Sequence, residues 1–191
     1  MITVEAVQHR LEDKQILRDV SCDLAQKRIG IIGANGSGKS SFARLLNGLV
    51  IPQSGRVRAH GHDTRHDGRA VRRAVGFVFQ NPDHQIVYPV VEEDLAFGLK
   101  NSGLRGEALA RRIENTLGKF GLASLRHQAA HSLSGGEKQL LALAGVIAME
   151  PRSIVLDEPT TLLDLRNKRR IMAILAGLAW TITSTLYSET G

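Results

Sequence analysis

One cysteine, Cys22, stands in 191 residues, so no internal disulfide can form, which suits a reducing compartment. That lone thiol is expected to pack as a small core side chain. Aromatic residues are only 4% of the chain, so a core has to be assembled from Leu, Ile, Val and Ala. The longest apolar stretches, such as LLALAGVIAM, are about half of the ~20 residues that a membrane-spanning helix requires. No charged-then-apolar N-terminus marks a signal peptide, since MITVEAVQHRLEDK is simply amphipathic. These absences predict a cytoplasmic location, with docking on a membrane component left open. Internal repeats and low-complexity tracts are also missing.

What is present is a globular composition, with 42% hydrophobic and 23% charged residues. The length fits one domain, or one core carrying an inserted lobe. A net charge of +6 invites an anionic partner. The densest basic segment, RVRAHGHDTRHDGRAVRR at 56–73, reads first as a solvated rim on a hairpin and connector. Phospholipid headgroups or nucleotide phosphate are the alternative. His60, His62 and His66 fall close together, but no element sets their geometry and their spacing matches no ligand pattern, so a metal site there is not expected.

Periodicity gives the order of elements. Residues 2–8 and 15–25 alternate as strands around the polar turn HRLEDK. RIGIIG is a continuous apolar run ending in glycine, the mark of a buried parallel strand. A helix is expected over 39–49, ended by the turn PQSG, and a second buried strand over 75–80. NPDHQIVYP is a loop, because two prolines forbid regular structure. Helical patterns follow at 90–100 and 106–120, and after LSGGE. SIVLD at 153–157 is a further buried strand, and LDLRNKRRIMAILAGL a final helix.

GANGSGKS, Gly33 to Ser40, fits G-x-x-x-x-G-K-[ST]. At average glycine usage of ~7% a chain of this length would show the pattern by chance roughly once in a hundred. The context is also met, with a buried strand before and an amphipathic helix after. Anion binding requires bare backbone N–H groups curled around phosphate oxygens, and side chains at Gly33, Gly36 and Gly38 would obstruct that curl. Lys39 is placed to reach the β- and γ-phosphates, and Ser40 to hold Mg²⁺. The candidate nucleotide-binding set is therefore Gly33, Ala34, Asn35, Gly36, Ser37, Gly38, Lys39, Ser40 and Ser41.

IVLDEP at 154–159 puts two carboxylates where an apolar strand leaves its sheet, the side on which open α/β sheets bind ligands. Asp157 would order Mg²⁺ and Glu158 could polarise an attacking water. An acidic pair in this place is by itself only a turn; a phosphate loop about 120 residues earlier changes its meaning. Ser134-Gly135-Gly136-Glu137 has the form of a capping box. That accounts for the serine and the glutamate, but not for two glycines in a first helical turn, each costing about 1 kcal/mol against alanine. The expectation is that something approaches this backbone closely. Since the chain already has one phosphate cradle, a second exposed helix start suggests the nucleotide of a partner.

Taken in order, GANGSGKS, Gln80 after VGFVF, LSGGE, IVLDEP and TTLLD resemble the ATP-binding-cassette (ABC) ATPase family over nearly the whole chain. The resemblance implies an α/β fold: a P-loop nucleotide-binding domain with an N-terminal antiparallel β portion and an inserted helical subdomain. The core would be 1–80 and 150–191 and the helical part about 81–149. It implies two copies, or one copy and a paralogue, packed head to tail. Each ATP would lie between Lys39 and Ser40 of one and Ser134, Gly135 and Gly136 of the other. Ser40, Gln80 and Asp157 would serve Mg²⁺, Gln80 and Glu158 the attacking water, and Asp164 would cross the interface. FQNPDHQIVYPVVEEDLAFG looks like the energy-coupling-factor group of importers, and DEPTTLLDLRN most like the ATPase of biotin importers. The implied partners are integral membrane subunits, an energy-coupling transmembrane protein and a substrate-binding membrane protein, with no nucleic acid. Import of cobalt, nickel or another vitamin is the alternative within the group.

Two departures qualify the likeness. Where many members stack adenine on an aromatic ring, VQHRLEDKQ offers only His9, with Leu11 at the expected place of the ring. The last strand reads TITSTLYSETG, hydroxyls where aliphatics would pack; no histidine follows His131, and Tyr187 falls near the place of a γ-phosphate contact. An ending replaced or cut at about residue 180, with nucleotide bound but slowly hydrolysed, is the expectation. Three other classes compete. A soluble ABC ATPase acting on nucleic acid would carry tandem cassettes or a coiled-coil insertion. A non-catalytic, ATP-dependent clamp would pair without turnover. A P-loop kinase or GTPase has no use for LSGGE or Gln80.

Overall fold

The computed structural model describes residues 1–159, 163–177 and 181–186. The chain divides into two compact units, Met1–Phe77 with Arg152–Glu158 and Leu178–Gly191, and Val78–Pro151 with Pro159–Gly177.

In the first unit, β1 (Ile2–Leu11) and β2 (Lys14–Leu24) form an antiparallel pair. Alternation buries Ile2 and Val4, and an irregularity at Ala6, φ 46°, shifts the register so that Val7 is buried as well. β3 (Arg28–Gly33) runs into the phosphate loop and α1 (Lys39–Leu46). The helix closes three residues earlier than its apolar pattern suggests, because Asn47 turns inward and donates its amide to the Val75 carbonyl. β4 (Ser54–Ala59) and the two-residue β5 (His62–Asp63) complete a sheet of order β2-β1-β4-β5. His60 and Gly61 make the tight turn between them with φ of 51° and 91°.

The basic segment is more ordered than its composition suggests. Besides the expected hairpin it contains a helix, α2 (Gly68–Ala74), anchored through buried Val71 and Ala74 with its arginines outward. β6 (Val75–Val78) follows and ends two residues short of the expected strand.

In the second unit lie α3 (Val91–Asn101), α4 (Gly106–Phe120) and α5 (Gly135–Ala148). Leu95, Leu99, Ile113, Leu117, Leu141 and Leu143 form their shared core. After β7 (Ser153–Asp157) the chain enters α6 (Leu165–Ala176), which buries Ile171 and Leu175. β8 (Thr181–Leu186) then returns to the first unit. The second sheet has the order β3-β8-β7-β6, with β8 parallel to both β3 and β7. The hydroxyl-rich strand is thus an inner strand. Among the described residues no helix is long and apolar enough to cross a membrane. Tyr187 lies outside the described residues.

Candidate functional site

β3 delivers the chain to the phosphate loop, and α1 begins where the loop ends. The loop closes on itself by Ser37 N–H donating to Ala34 O at 3.2 Å, and Phe42 N–H donates to Gly38 O at 2.8 Å. Gly38 has φ 93°, and a Cβ there would come within 2.7 Å of Ile16 Cγ2 on β2. A glycine is therefore required twice over, by conformation and by packing. No side chain caps the start of α1, so its first N–H groups point into the loop.

Lys39 is 8% exposed and turned back over the loop. Its Nζ donates to Gly33 O at 2.9 Å and Ala34 O at 3.0 Å, and lies 3.9 Å from Glu158 Oε1. Ser40 Oγ donates to Asp157 Oδ1 at 2.9 Å. Four of the residues singled out in the sequence, Lys39, Ser40, Asp157 and Glu158, thus converge on one locus of the first unit. Asp157 is 2% exposed and Glu158 9%. Glu158 carries φ 47°, a left-handed backbone uncommon for a side chain of its kind.

A residue that sequence reasoning passed over joins them. Ser184 of β8 is fully buried, and its Oγ donates to Asp157 Oδ1 at 2.8 Å and accepts from Glu158 N–H at 3.3 Å. The available signal was a hydroxyl at Ser184 on the Ile182 face of TITSTL, out of step with Thr181, Thr183 and Thr185.

In the second unit the capping box forms as expected. Glu137 N–H donates to Ser134 Oγ at 3.4 Å; Ser134 N–H and Oγ donate to Glu137 Oε2 at 2.8 and 2.7 Å. Those two donors hold the Glu137 carboxyl below its ordinary range. The two glycines have different reasons. A Cβ on Gly136 would sit 2.3 Å from Asn167 Nδ2 of α6, so the close neighbour is this chain's own side chain. A Cβ on Gly135 would meet none of the described residues within 4 Å. Asp164 caps α6, its Oδ1 accepting from Asn167 N–H at 2.8 Å and its Oδ2 from Asn167 Nδ2 at 3.2 Å. Gln80 lies exposed on the loop after β6.

Two smaller expectations change. His9 is 6% exposed with Nδ1 paired to Gln53 Oε1 at 3.0 Å, so its ring is committed; Leu11 is the exposed side chain nearby. Cys22 is half-buried in β2, not a core residue.

An oxygen-rich pair such as Ser40 Oγ and Asp157 Oδ1 fits a hard divalent cation like Mg²⁺. The uncapped loop amides and Lys39 fit a polyphosphate.

The chain is similar to known proteins in sequence and in fold. The family profile described as "ABC transporter" matches residues 17–161. A Deinococcus radiodurans chain whose name places it among ABC transporter ATP-binding proteins is 54% identical over 95% of this chain and 80% of its own length. A biotin transport ATP-binding protein of Rhizobium etli is 48% identical over 85% of this chain and 72% of its own. Among solved structures, a Clostridium perfringens protein described as part of the ABC transporter complex cbiONQ superposes with a TM-score of 0.81 at 30% identity, covering 98% of this chain and 78% of that one.

Proposed function

We propose that this chain, which belongs to the ABC transporter family and is one of its ATP-binding, ATP-hydrolysing subunits, powers an importer of the energy-coupling-factor type, with biotin as the cargo. The observation that carries the site assignment is the convergence of Lys39, Ser40, Asp157 and Glu158 at the ends of β3 and β7. The kinship to the Rhizobium etli biotin subunit supports the cargo.

In this reading the loop amides of Gly33 to Ser41 and the Lys39 ammonium hold the phosphates of ATP. Ser40 and Asp157 would hold Mg²⁺, with Gln80 as a further ligand, and the ion would supply positive charge beside the phosphates. Glu158 accepts the proton of the attacking water. Its carboxylate oxygen Oε1 lies 3.9 Å from the Lys39 ammonium, at the edge of the phosphate loop. Ser134 Oγ now gives its proton to Glu137; to bind the γ-phosphate of a second copy it has only to rotate. Gly135, where a Cβ would meet none of the described residues within 4 Å, leaves room for that second copy.

The membrane subunits dock, in this reading, on a groove of about 530 Å³ in the helical unit. Tyr88 and Phe97 pair there at 5.0 Å and remain 39% and 40% exposed. Exposed Glu93 lines it as well, which suits a partner helix with an apolar face and a basic flank.

Labelled biotin uptake by cells producing this chain with its membrane partners tests the cargo, and Mg·ATP turnover of the same assembly tests the enzyme. Uptake of biotin abolished by Lys39→Met is expected. Cobalt uptake in place of biotin would keep the ATPase and reassign the cargo.

A further inference from the structure

Ser184 stands where a polar atom is costly. It is 0% exposed, and two residues away on the same face of β8 Ile182 packs in the core at 3%. A hydroxyl buried without partners destabilises the fold, because nothing replaces its hydrogen bonds to water. Ser184 does have partners, and they are the two acidic residues of the site. The parallel register sets it directly beside Asp157. Its single proton goes to Asp157 Oδ1 at 2.8 Å, the backbone alternative Leu156 O being farther at 3.4 Å. Its lone pair receives Glu158 N–H. One hydroxyl therefore ties the carboxylate of Asp157 to the backbone of Glu158 at the point where φ turns positive.

We infer that Ser184 is a positioning residue for the metal carboxylate and the base, holding Asp157 in its metal-facing rotamer and Glu158 in its left-handed turn. This rests on the roles proposed above for Asp157 and Glu158. In the present arrangement Asp157 Oδ1 accepts from both Ser40 and Ser184. With Ser40 Oγ engaged by Mg²⁺, Ser184 would be the remaining hydroxyl donor to Asp157 Oδ1 among the described residues. Partners that orient a metal-ligating carboxylate typically contribute 10–100-fold in metal affinity or activity.

The test uses the full chain in its transporter assembly, with Ser184→Ala, Ser184→Thr and Asp157→Asn. Ser184→Ala should raise the Mg²⁺ concentration for half-maximal turnover about tenfold and lower kcat about tenfold. ATP affinity measured in EDTA should stay within twofold of the parent, since the loop amides and Lys39 are untouched. Ser184→Thr, which keeps the hydroxyl, should recover most of the loss. Should the alanine variant fold poorly, Ser184→Cys keeps the volume with a weak donor and carries the same expectation. An unchanged Mg²⁺ requirement, or an equal loss of ATP affinity in EDTA, overturns the inference. If Asp157→Asn also leaves the Mg²⁺ requirement unchanged, it is the assignment of Asp157 that has failed.

Discussion

Neutralising Glu158 offers a quantitative probe of the site without any appeal to chemistry. The Lys39 ammonium lies 3.9 Å from Glu158 Oε1, with side chains 7% and 9% exposed. At an effective dielectric of about 20 the attraction of two unit charges at that separation is roughly 4 kcal/mol. Glu158→Gln removes it, but also relieves the desolvation of one buried charge, and Lys39 keeps its two carbonyl acceptors. A net loss of about 2 kcal/mol is expected, which for a chain of this size is about 4–8 °C in Tm. Phosphates supply Lys39 with the missing negative charge, and one carboxylate fewer repels them. A non-hydrolysable ATP analogue with Mg²⁺ should therefore raise the Tm of the Gln variant by more than it raises that of the parent. Thermal unfolding followed by circular dichroism, with and without analogue, reads both quantities. A double cycle with Lys39→Met cancels each charge's own desolvation and should return a coupling of up to about 4 kcal/mol. An apo Tm equal to the parent's, with no larger nucleotide increment, would refute the reasoning.

Gly135→Ala should leave the isolated chain as stable as before or better by up to about 1 kcal/mol, since the Cβ has room and alanine favours the helix, while weakening ATP-dependent pairing in sedimentation. Ser134→Ala removes the cap of α5 and should cost about 1 kcal/mol, a fall of about 2–4 °C in Tm. The His60 ring, half-buried and near the Met1 amino group, Arg152 and His62, titrates at about 4 instead of 6.5, burial being the largest cause. The unfolded chain takes up that proton first, so the contribution is whole above pH 6.5 and declines as pH falls toward 4. His60→Gln should flatten stability against pH across that window, and an unchanged slope would exclude His60 as its source.

The parts of the site that were legible in the sequence are those whose chemistry is local. The spacing of Gly33, Gly36 and Gly38 ahead of Lys39 and Ser40 is a loop-to-helix requirement, and Ser134 with Glu137 is a one-turn capping device, so a short window contains all of each argument. IVLDEP announced its carboxylates because a wholly apolar strand ended in them. What escaped depends on pairing across distance. Ser184 reaches Asp157 only through the parallel register of β8 on β7, 27 residues apart in sequence. Asn167 fills the space that Gly136 leaves from 31 residues downstream, so the second glycine was read as room for a partner when its own chain uses it. His9 was read as available because nothing nearby in sequence bonds it; Gln53 comes from the next sheet strand's approach. α2 is seven residues long and rich in arginine, too short for helical periodicity to emerge from its charge.

The central claim is that each nucleotide pocket is shared, the Lys39 side from one copy and the Ser134 side from another. Lys39→Met spoils the first half and Ser134→Arg the second, so neither variant alone should pair on ATP in analytical ultracentrifugation. Mixed in equal amounts, they should regain ATP-dependent dimers, because one pocket of the mixed pair combines an intact Lys39 with an intact Ser134. A mixture that stays monomeric while the unmodified chain pairs, or either variant pairing fully alone, would contradict the shared pocket.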